Sequence, residues 1–309
     1  MTDRRPTVSI GLPVYNGGAF FADCLESVAG QTFGDFQVII SDNASTDDTA
    51  EVARSFTERD PRFRYVRYEQ NMGAAANWNR VVELATGFYF KWLAADDLIA
   101  PTYLERCVAV LDFQPDVVLV TPRVRLIDLA GMPLERIPGT NRYLAPHGES
   151  KAAPSAPTSG LASRSTLRRF RSVVIYLTDS GLAAYSMSLI RLEALRSTML
   201  VDVYVGSEKV LLAQLALTGR FALVPEPLYS WRIHADHMGS KSTAEATRQL
   251  DPTWTGHFPL MGPRQVVGYL RAVRAAEVDA VTRMSCLAVI LEKIPRGMWS
   301  QFGPGAKRS

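Results

Sequence analysis

The first 125 residues alternate between short apolar runs and stretches whose apolar residues recur at helical spacing. The apolar runs predict strands at Val8–Leu12, Gln37–Ser41, Phe63–Tyr68, Phe88–Leu93 and Val117–Thr121. Between the first two strands, Phe21, Cys24, Leu25 and Val28 have the spacing of one buried helix face. Strands that alternate with helices in this way predict an α/β fold, with a mostly parallel sheet covered by helices on both faces.

The second half of the chain is less regular. Residues 138–171 lack periodic apolar positions and are rich in Pro, Ser, Ala, Gly and Arg, which predicts a mobile loop. Regular structure then resumes with a helix at Glu208–Thr218, a strand at Phe221–Val224 and helices at Gln265–Ala280 and Thr282–Lys293. The chain therefore divides into a first part over residues 1–130, a middle part over 131–240 that contains the loop, and a helical C-terminal extension over 241–309.

Composition narrows the class of protein. The chain has 309 residues, 47% hydrophobic and 21% charged, with a net charge of +3, which is too weakly basic to indicate a nucleic-acid partner. Its three cysteines have no paired spacing, so we expect neither disulfides nor a zinc site. We find neither a signal peptide nor an apolar run of the roughly 18 residues that a membrane span needs. We therefore expect a cytoplasmic protein.

Two C-terminal segments bear on partners. Residues 254–274 and 290–302 combine aromatic or apolar residues with arginines. This composition allows either a homodimer contact or peripheral attachment at the inner face of a membrane, and it does not decide between them.

Polar clusters follow three of the predicted strands. They are Pro13–Asn16, Asp42–Ser45 and Asp96–Asp97. In a parallel α/β sheet, ligands bind outside the carboxyl ends of the strands. The three clusters therefore predict one shared binding site.

Each cluster permits two interpretations. Asp96 and Asp97 could hold a hard divalent cation together with substrate phosphates, or they could cap the following helix. Asp42 could accept a hydrogen bond from the imide of a uracil or thymine base on which Tyr15 stacks. Alternatively it could belong to a turn, in which Ser45 and Asp48 form a capping box for the next helix. The chain contains neither a Gly-x-Gly-x-x-Gly turn after the first strand nor a phosphate-binding Gly-Lys-Ser/Thr loop, which disfavours dinucleotide oxidoreductases and P-loop proteins.

Taken together, four segments resemble glycosyltransferase family 2. They are Val8–Asn16, Ile39–Asp47, Asn71–Gly73 and Asp96–Asp97, and the resemblance covers about residues 7–125. It implies a GT-A fold, with a Rossmann-like, mostly parallel sheet. It also implies an enzyme that uses a nucleotide-diphosphate sugar with Mn²⁺ or Mg²⁺ and inverts the anomeric centre.

The resemblance also implies site residues in the first part of the chain. The set that would bind the donor comprises Pro13, Tyr15, Asn16, Asp42, Asn43, Asn71, Gly73 and Asp96. Asp96 and Asp97 would occupy the metal motif. The usual form of that motif is Asp-x-Asp-Asp, whereas Ala94 stands here at the position of the first acid. The chain thus offers the metal fewer carboxylates than the family pattern does.

Three residues of the second half complete the implied site. Glu208, before the apolar stretch Val210–Leu217, resembles the family's general base. Arg232 and His234 resemble a later element in which a basic residue and a histidine approach the diphosphate or the metal. By resemblance, residues 1–130 would then bind the nucleotide sugar and residues 131–240 the acceptor.

We therefore interpret the chain as a metal-dependent, inverting glycosyltransferase. The acceptor would carry a hydroxyl-type nucleophile, and both a cell-surface glycan and a natural product remain open. Two alternatives also remain open. One is a nucleotidyltransferase, which would also join an α/β nucleotide fold to metal-binding acids. The other is a catalytically inactive relative that binds a nucleotide or a glycan, as the alanine at position 94 suggests.

Overall fold

The computed structural model describes residues 5–140, 142–144, 150–152, 160–177, 179–234, 242–255 and 261–293. The strands are β1 (Val8–Val14), β2 (Phe36–Asp42), β3 (Phe63–Arg67), β4 (Tyr89–Trp92), β5 (Leu98–Ile99), β6 (Val117–Ile127), β7 (Arg142–Leu144), β8 (Ser150–Ala152), β9 (Leu189–Arg191) and β10 (Arg220–Arg232). Eight of them form one sheet in the order β3-β2-β1-β4-β9-β6-β10-β5, and β7 pairs with β8 separately.

The helices lie between and after these strands. They are α1 (Phe21–Ala29), α2 (Thr49–Arg59), α3 (Ala74–Leu84), α4 (Tyr103–Phe113), α5 (Thr166–Arg171), α6 (Asp179–Ser186), α7 (Leu192–Arg196), α8 (Ser207–Thr218), α9 (Thr243–Leu250), α10 (Met261–Ala275) and α11 (Ala280–Lys293). None of the helices in the described ranges is long and apolar enough to cross a membrane.

Most neighbouring strands of the sheet are parallel. β1 runs parallel to β2 and β4, and β6 runs parallel to β10. The short strand β9 lies antiparallel between β4 and β6. β4 and β6 therefore point the same way, and the carboxyl ends of all these parallel strands meet at one edge of the sheet. β5 is antiparallel to the end of β10, and this pairing brings the end of β10 back toward residues 96–99.

Side chains alternate between the two faces of the sheet, and this alternation creates two cores. In β2, Val38 and Ile40 pack into the core that contains residues of α1, α2 and α4. Ile39, between them, packs into the opposite core with residues of α3, α8, α10 and α11. The predicted fold class, a mostly parallel sheet with helices on both faces and helices after it, is confirmed.

Several predicted boundaries move. β10 extends to Arg232, well beyond the predicted end at Val224, because it continues along β6 and then pairs with β5. The predicted loop over residues 138–171 contains β7, β8 and α5, although residues 145–149 and 153–159 lie outside the described residues. Arg169 and Phe170 of α5 are buried, so the end of this range packs as part of the core.

The predicted capping box of α2 is wrong. The hydroxyl of Ser45 accepts a hydrogen bond from the backbone N–H of Asn16 at 2.9 Å, rather than capping a helix. Asp48 occupies the N-cap position without a side-chain hydrogen bond, and the carboxylate of Asp47 accepts from the N–H of Thr49 at 3.1 Å. Ser45 therefore joins two loops at the carboxyl edge of the sheet.

Candidate functional site

Hydrogen bonds join the loops that follow β1 and β2. The N–H of Asn43 donates to the carbonyl of Val14 at 2.8 Å. Asn16 adopts a left-handed conformation, with φ of 52°, and its side-chain carbonyl accepts from the N–H of Thr46 at 2.8 Å. Asn16 thus shapes this edge, while Tyr15 beside it leaves 49% of its surface exposed and available to a ligand. Pro13 lies buried within β1.

Asp42 is buried at the end of β2, and its carboxylate has partners within the protein. Oδ1 accepts from the N–H of Ser45 at 2.7 Å. Oδ2 accepts from the hydroxyl of Tyr65 at 2.6 Å and from Arg67 Nη1 at 3.3 Å. Burial and the bond to Asp42 raise the pKa of Tyr65 above its usual value.

Tyr65 and Arg67 were not among the site residues predicted from the sequence. Their two-residue spacing in the predicted third strand places both on one face of the sheet, which was the available signal. Arg67 leaves 41% of its side chain exposed, whereas Asp42 is fully buried. Arg67 is therefore the member of this group that a ligand reaches most readily.

Two asparagine side chains shape the turn before α3. Asn43 Nδ2 donates to Asn71 Oδ1 at 2.9 Å, and Asn43 Oδ1 accepts from the N–H of Met72 at 2.8 Å. Asn71 Oδ1 also accepts from the N–H of Gly73 at 2.9 Å. The predicted residues Asn43, Asn71 and Gly73 are thus brought together, and they hold the first turn of α3 at the carboxyl edge.

Gly73 is also where the C-terminal extension contacts this edge. Its φ of +87° lies in the region that favours glycine. A Cβ atom at this position would come within 2.4 Å of the carbonyl oxygen of Leu250, at the end of α9. The small apolar cluster of Ala75, Val201 and Leu250 lies beside it and joins α3, the segment before α8, and α9.

A second group of site residues forms around Asp97. The Asp97 carboxylate is buried, and it accepts from the hydroxyl of Tyr229 and, at 2.9 Å, from the N–H of Arg232. Burial and the neighbouring charge of Asp96 raise the pKa of Asp97 to about 8. Because Tyr229 and Arg232 both belong to β10, their hydrogen bonds to the two oxygens of Asp97 join β10 to the acidic loop.

Arg232 is fully buried beneath the same loop. Its Nε donates to the carbonyl of Asp96 at 2.9 Å, and Nη1 donates to the carbonyl of Leu129 at 2.7 Å. Its Nη2 lies 3.8 Å from the carboxylate of Asp23, at the start of α1. The guanidinium thus holds three segments around the acidic motif, and it supports Asp96 through the backbone.

Lys91 lies buried near this group. Its ammonium donates to the carbonyl of Met187 at 2.5 Å and sits 4.4 Å and 4.5 Å from the ring centres of Tyr103 and Tyr229. Burial lowers the pKa of Lys91 to about 7, although the charge of Asp97 opposes this effect. The contact with Tyr229 links Lys91 to the partner of Asp97.

Asp96 and His234 form the accessible part of the group. Asp96 Oδ2 lies 2.8 Å from His234 Nε2, and 28% and 15% of the two side chains are exposed. The ring of Phe20 packs 5.5 Å from the His234 ring and 4.5 Å from the Arg232 guanidinium. Within the described residues, no group of three or more His, Cys, Asp or Glu side chains is placed to hold a metal. Asp96 and His234 are the side chains of this group that a ligand could reach.

Glu208 reaches the same edge by topology. α8 is joined to the start of β10 by the single residue Gly219, so its first turn, about 18 Å away, lies toward the carboxyl ends of the strands. Burial raises the pKa of Glu208 above its usual value, against the opposing effect of backbone N–H groups. A carboxylate with a raised pKa at this edge is suited to accept a proton.

The segment before Glu208 is held by α3. The amide of Asn79 donates to the carbonyl of Val201 at 2.8 Å and accepts from its N–H at 3.1 Å. The hydroxyl of Ser207 donates to the carbonyl of Asp202 at 2.9 Å, which closes the turn into α8. Glu208 is therefore connected to the Gly73 turn through α3, rather than by direct contact with Asp96.

A cleft of about 1040 Å³ opens at the opposite edge of the sheet, with Arg5, Tyr89, Arg191 and Ala276 among its lining residues. Arg5 and Arg191 donate there to backbone carbonyls, so their charges are already engaged. This cleft also lies at the amino ends of the parallel strands. The candidate site therefore lies at the carboxyl edge, where the partly exposed Asp96–His234 pair coincides with the side of α/β sheets that usually binds ligands.

The sequence of this chain is similar to known glycosyltransferases. The model of the family described as Glycosyl transferase family 2 matches residues 9–195, more than half of the chain. Chondroitin synthase of Escherichia coli is 37% identical over 105 residues, which are 34% of this chain and 15% of that protein. The chain spans only part of the curated relatives it matches, 11% of Pasteurella multocida hyaluronan synthase for example.

Two solved structures share the fold. TarS 1–349 of S. aureus, in complex with UDP-GlcNAc, has a TM-score of 0.62 at 15% identity, covering 93% of this chain and 72% of that one. Mannosyltransferase PcManGT of Pyrobaculum calidifontis, in complex with GDP-Man and Mn²⁺, has a TM-score of 0.55 at 16% identity, covering 94% and 74%. At these identities the likeness concerns the fold alone.

We predict that Gly73→Ala displaces α9 from α3. The new methyl group would collide with the carbonyl of Leu250, and the left-handed backbone would add strain. Amide hydrogen exchange should show lost protection at the end of α9. Gly139→Ala is the matched control, because Gly139 has a φ of +71° but nothing within 4 Å of its Cβ position. Unchanged protection of α9 in Gly73→Ala would contradict the assigned contact.

Proposed function

The chain belongs to glycosyl transferase family 2, and from that membership we propose that it transfers a sugar from a nucleotide diphosphate to a hydroxyl acceptor. The observation that carries this proposal is the partly exposed Asp96–His234 pair, 2.8 Å apart at the carboxyl edge of the sheet. It lies at the same edge as the Asp42 and Asn71 groups. A diphosphate could therefore lie between a nucleoside pocket and a cation site.

The nucleoside would bind at the ends of β1 to β3. Tyr15 is exposed there and offers an aromatic face for stacking on a base. Arg67 is accessible beside the buried Asp42 and can donate to a carbonyl of the base. Asp42 would hold Arg67 and Tyr65 in place through Oδ2, while Oδ1 accepts only from the N–H of Ser45 and keeps a lone pair for a further donor such as an imide N–H. The bound UDP-GlcNAc and GDP-Man of the two structural neighbours support a nucleotide-sugar donor.

A divalent cation fits the pair formed by Asp96 and His234. One carboxylate and one imidazole suit Mn²⁺, and Mg²⁺ would rely more on Asp96, since it prefers oxygen ligands. When bound, the cation would offset the negative charge of the leaving diphosphate. Asp97 and Arg232 would position Asp96, because both already bind protein groups around the acidic loop. The resemblance implies that Asp97 binds the metal and that Arg232 approaches the diphosphate or the metal. Either contact would require these side chains to leave their present hydrogen-bond partners.

Glu208 would act as the general base. Its carboxylate would take the proton of the acceptor hydroxyl as the oxygen bonds to the anomeric carbon of the donor. The bond from that carbon to the diphosphate oxygen breaks on the opposite face, so the configuration inverts. The raised pKa of Glu208 makes its carboxylate a stronger base than an ordinary glutamate.

We predict that a nucleoside diphosphate binds in a metal-dependent way. Calorimetric titrations of UDP, dTDP and GDP, each with Mn²⁺, with Mg²⁺ and with EDTA, would reveal which nucleobase the site prefers. Asp96→Ala and His234→Ala should each weaken the metal-dependent part of binding by about tenfold or more, because each removes one of two protein ligands. Glu193→Gln, at an exposed glutamate of α7, is the control and should bind normally.

Three outcomes would count against this assignment. Binding that persists unchanged in EDTA and in both variants would remove the cation from the site. If none of the three diphosphates binds but a nucleoside triphosphate and a sugar phosphate release pyrophosphate, the protein is a nucleotidyltransferase. Nucleotide binding without transfer or hydrolysis from any donor would indicate a catalytically inactive relative.

We predict that Glu208→Gln keeps donor binding but lowers the transfer rate by about 10²–10⁴-fold, because the amide cannot accept the proton. In the unmodified enzyme, kcat/KM should fall as pH decreases through the pKa of Glu208. Since burial raises that pKa, the midpoint should lie above the roughly 4.3 of an ordinary glutamate. Steady-state rates measured against pH would test both points. Full activity in Glu208→Gln would exclude Glu208 as the base.

A further inference from the structure

The outer face of α11 carries an apolar stripe. Val281, Met284 and Leu291 are 77%, 66% and 54% exposed, and their spacing places them on one side of the helix. The stripe extends over about 15 Å. The outward face of a surface helix is normally polar, so this stripe is a candidate contact surface.

Basic and aromatic side chains adjoin the end of this stripe. Arg171 of α5 pairs with Glu292, the neighbour of Leu291, at 2.8 Å. Arg171 Nε lies 3.4 Å from the hydroxyl of Tyr176, whose side chain is 55% exposed. Arg168 is exposed one turn earlier on the same side of α5. Lys293 also lies at this end, where it donates to the carbonyl of Val174.

The charge around the stripe distinguishes between partners. Arg168, Arg171 and Lys293 carry three positive charges against the one negative charge of Glu292, which pairs with Arg171, so this end of the stripe is net positive. A second copy of this face carries the same net positive charge, so it offers no complementary acidic surface. An anionic phospholipid surface instead accepts apolar side chains at its interface and attracts the surrounding cations.

We propose that the α11 surface, formed by Val281, Met284, Leu291, Tyr176, Arg168 and Arg171, docks on membranes that contain anionic phospholipid. The apolar stripe enters the headgroup region, and Tyr176 lies at the level of the headgroups with its hydroxyl near water. The two arginines contact lipid phosphates. This attachment is peripheral, and it is independent of the chemistry at the carboxyl edge of the sheet.

Sedimentation of the full chain with vesicles tests the proposal. Vesicles of phosphatidylcholine alone would be compared with vesicles that also contain phosphatidylglycerol. The unmodified protein should bind the anionic vesicles, and added salt should weaken this binding. The double variant Met284→Glu with Leu291→Glu should bind at least about tenfold more weakly, because carboxylates replace the inserted apolar groups.

Phe113→Glu is the matched control. Phe113 is 86% exposed at the end of α4, outside the α11 surface, so this variant should bind vesicles as the unmodified protein does. Thermal unfolding would verify that the exposed substitutions leave the fold intact. Absence of binding to anionic vesicles, or equal binding by the double variant, would overturn the proposal. A dimer in gel filtration that the double variant dissociates would also overturn it, because the surface would then belong to a second copy.

Discussion

The arrangement of the site depends on two ionisable groups, Asp97 and Arg232, that are buried beneath its acidic loop. A buried carboxylate or guanidinium is costly unless its hydrogen-bonding groups are paired. Asp97 meets this requirement with Tyr229 and the backbone of Arg232. Nε and Nη1 of Arg232 donate to the carbonyls of residues 96, 128 and 129, while its Nη2 has only the carboxylate of Asp23 at 3.8 Å. Leaving such a group without one of its hydrogen-bond partners typically costs about 1–3 kcal/mol. The loop is thereby fixed in the conformation that leaves Asp96 accessible beside His234.

This constraint separates two adjacent acids that look equivalent in the sequence. Asp97 points into the protein and joins the loop to β10, while Asp96 remains partly exposed. The alanine at position 94 removes a third carboxylate from the motif, and in the proposed site His234 would supply a nitrogen ligand beside Asp96. The proposed cation site thus consists of Asp96 and His234, which are 138 residues apart in the chain.

The sequence predicted the fold class and that the three polar clusters would lie at one edge of the sheet. It could do so because alternating strands and helices determine that parallel strands end together. It did not predict which partners the polar side chains would choose. Asn16, Asn43 and Asn71 use their amides to shape loops, a role that composition does not distinguish from ligand binding. The contact of Gly73 with Leu250 and the bond of Asp97 to Arg232 join distant segments, which periodicity and local spacing do not reveal.

The most direct test of this account is a crystal structure with UDP or GDP and Mn²⁺, with data collected at the manganese absorption edge. We predict one anomalous peak bonded to Asp96 and to His234 Nε2, with the diphosphate on its open side and the base near Tyr15 and Arg67. A manganese peak away from both residues, or a nucleotide bound in the cleft beside Tyr89 at the opposite edge, would contradict the central claim.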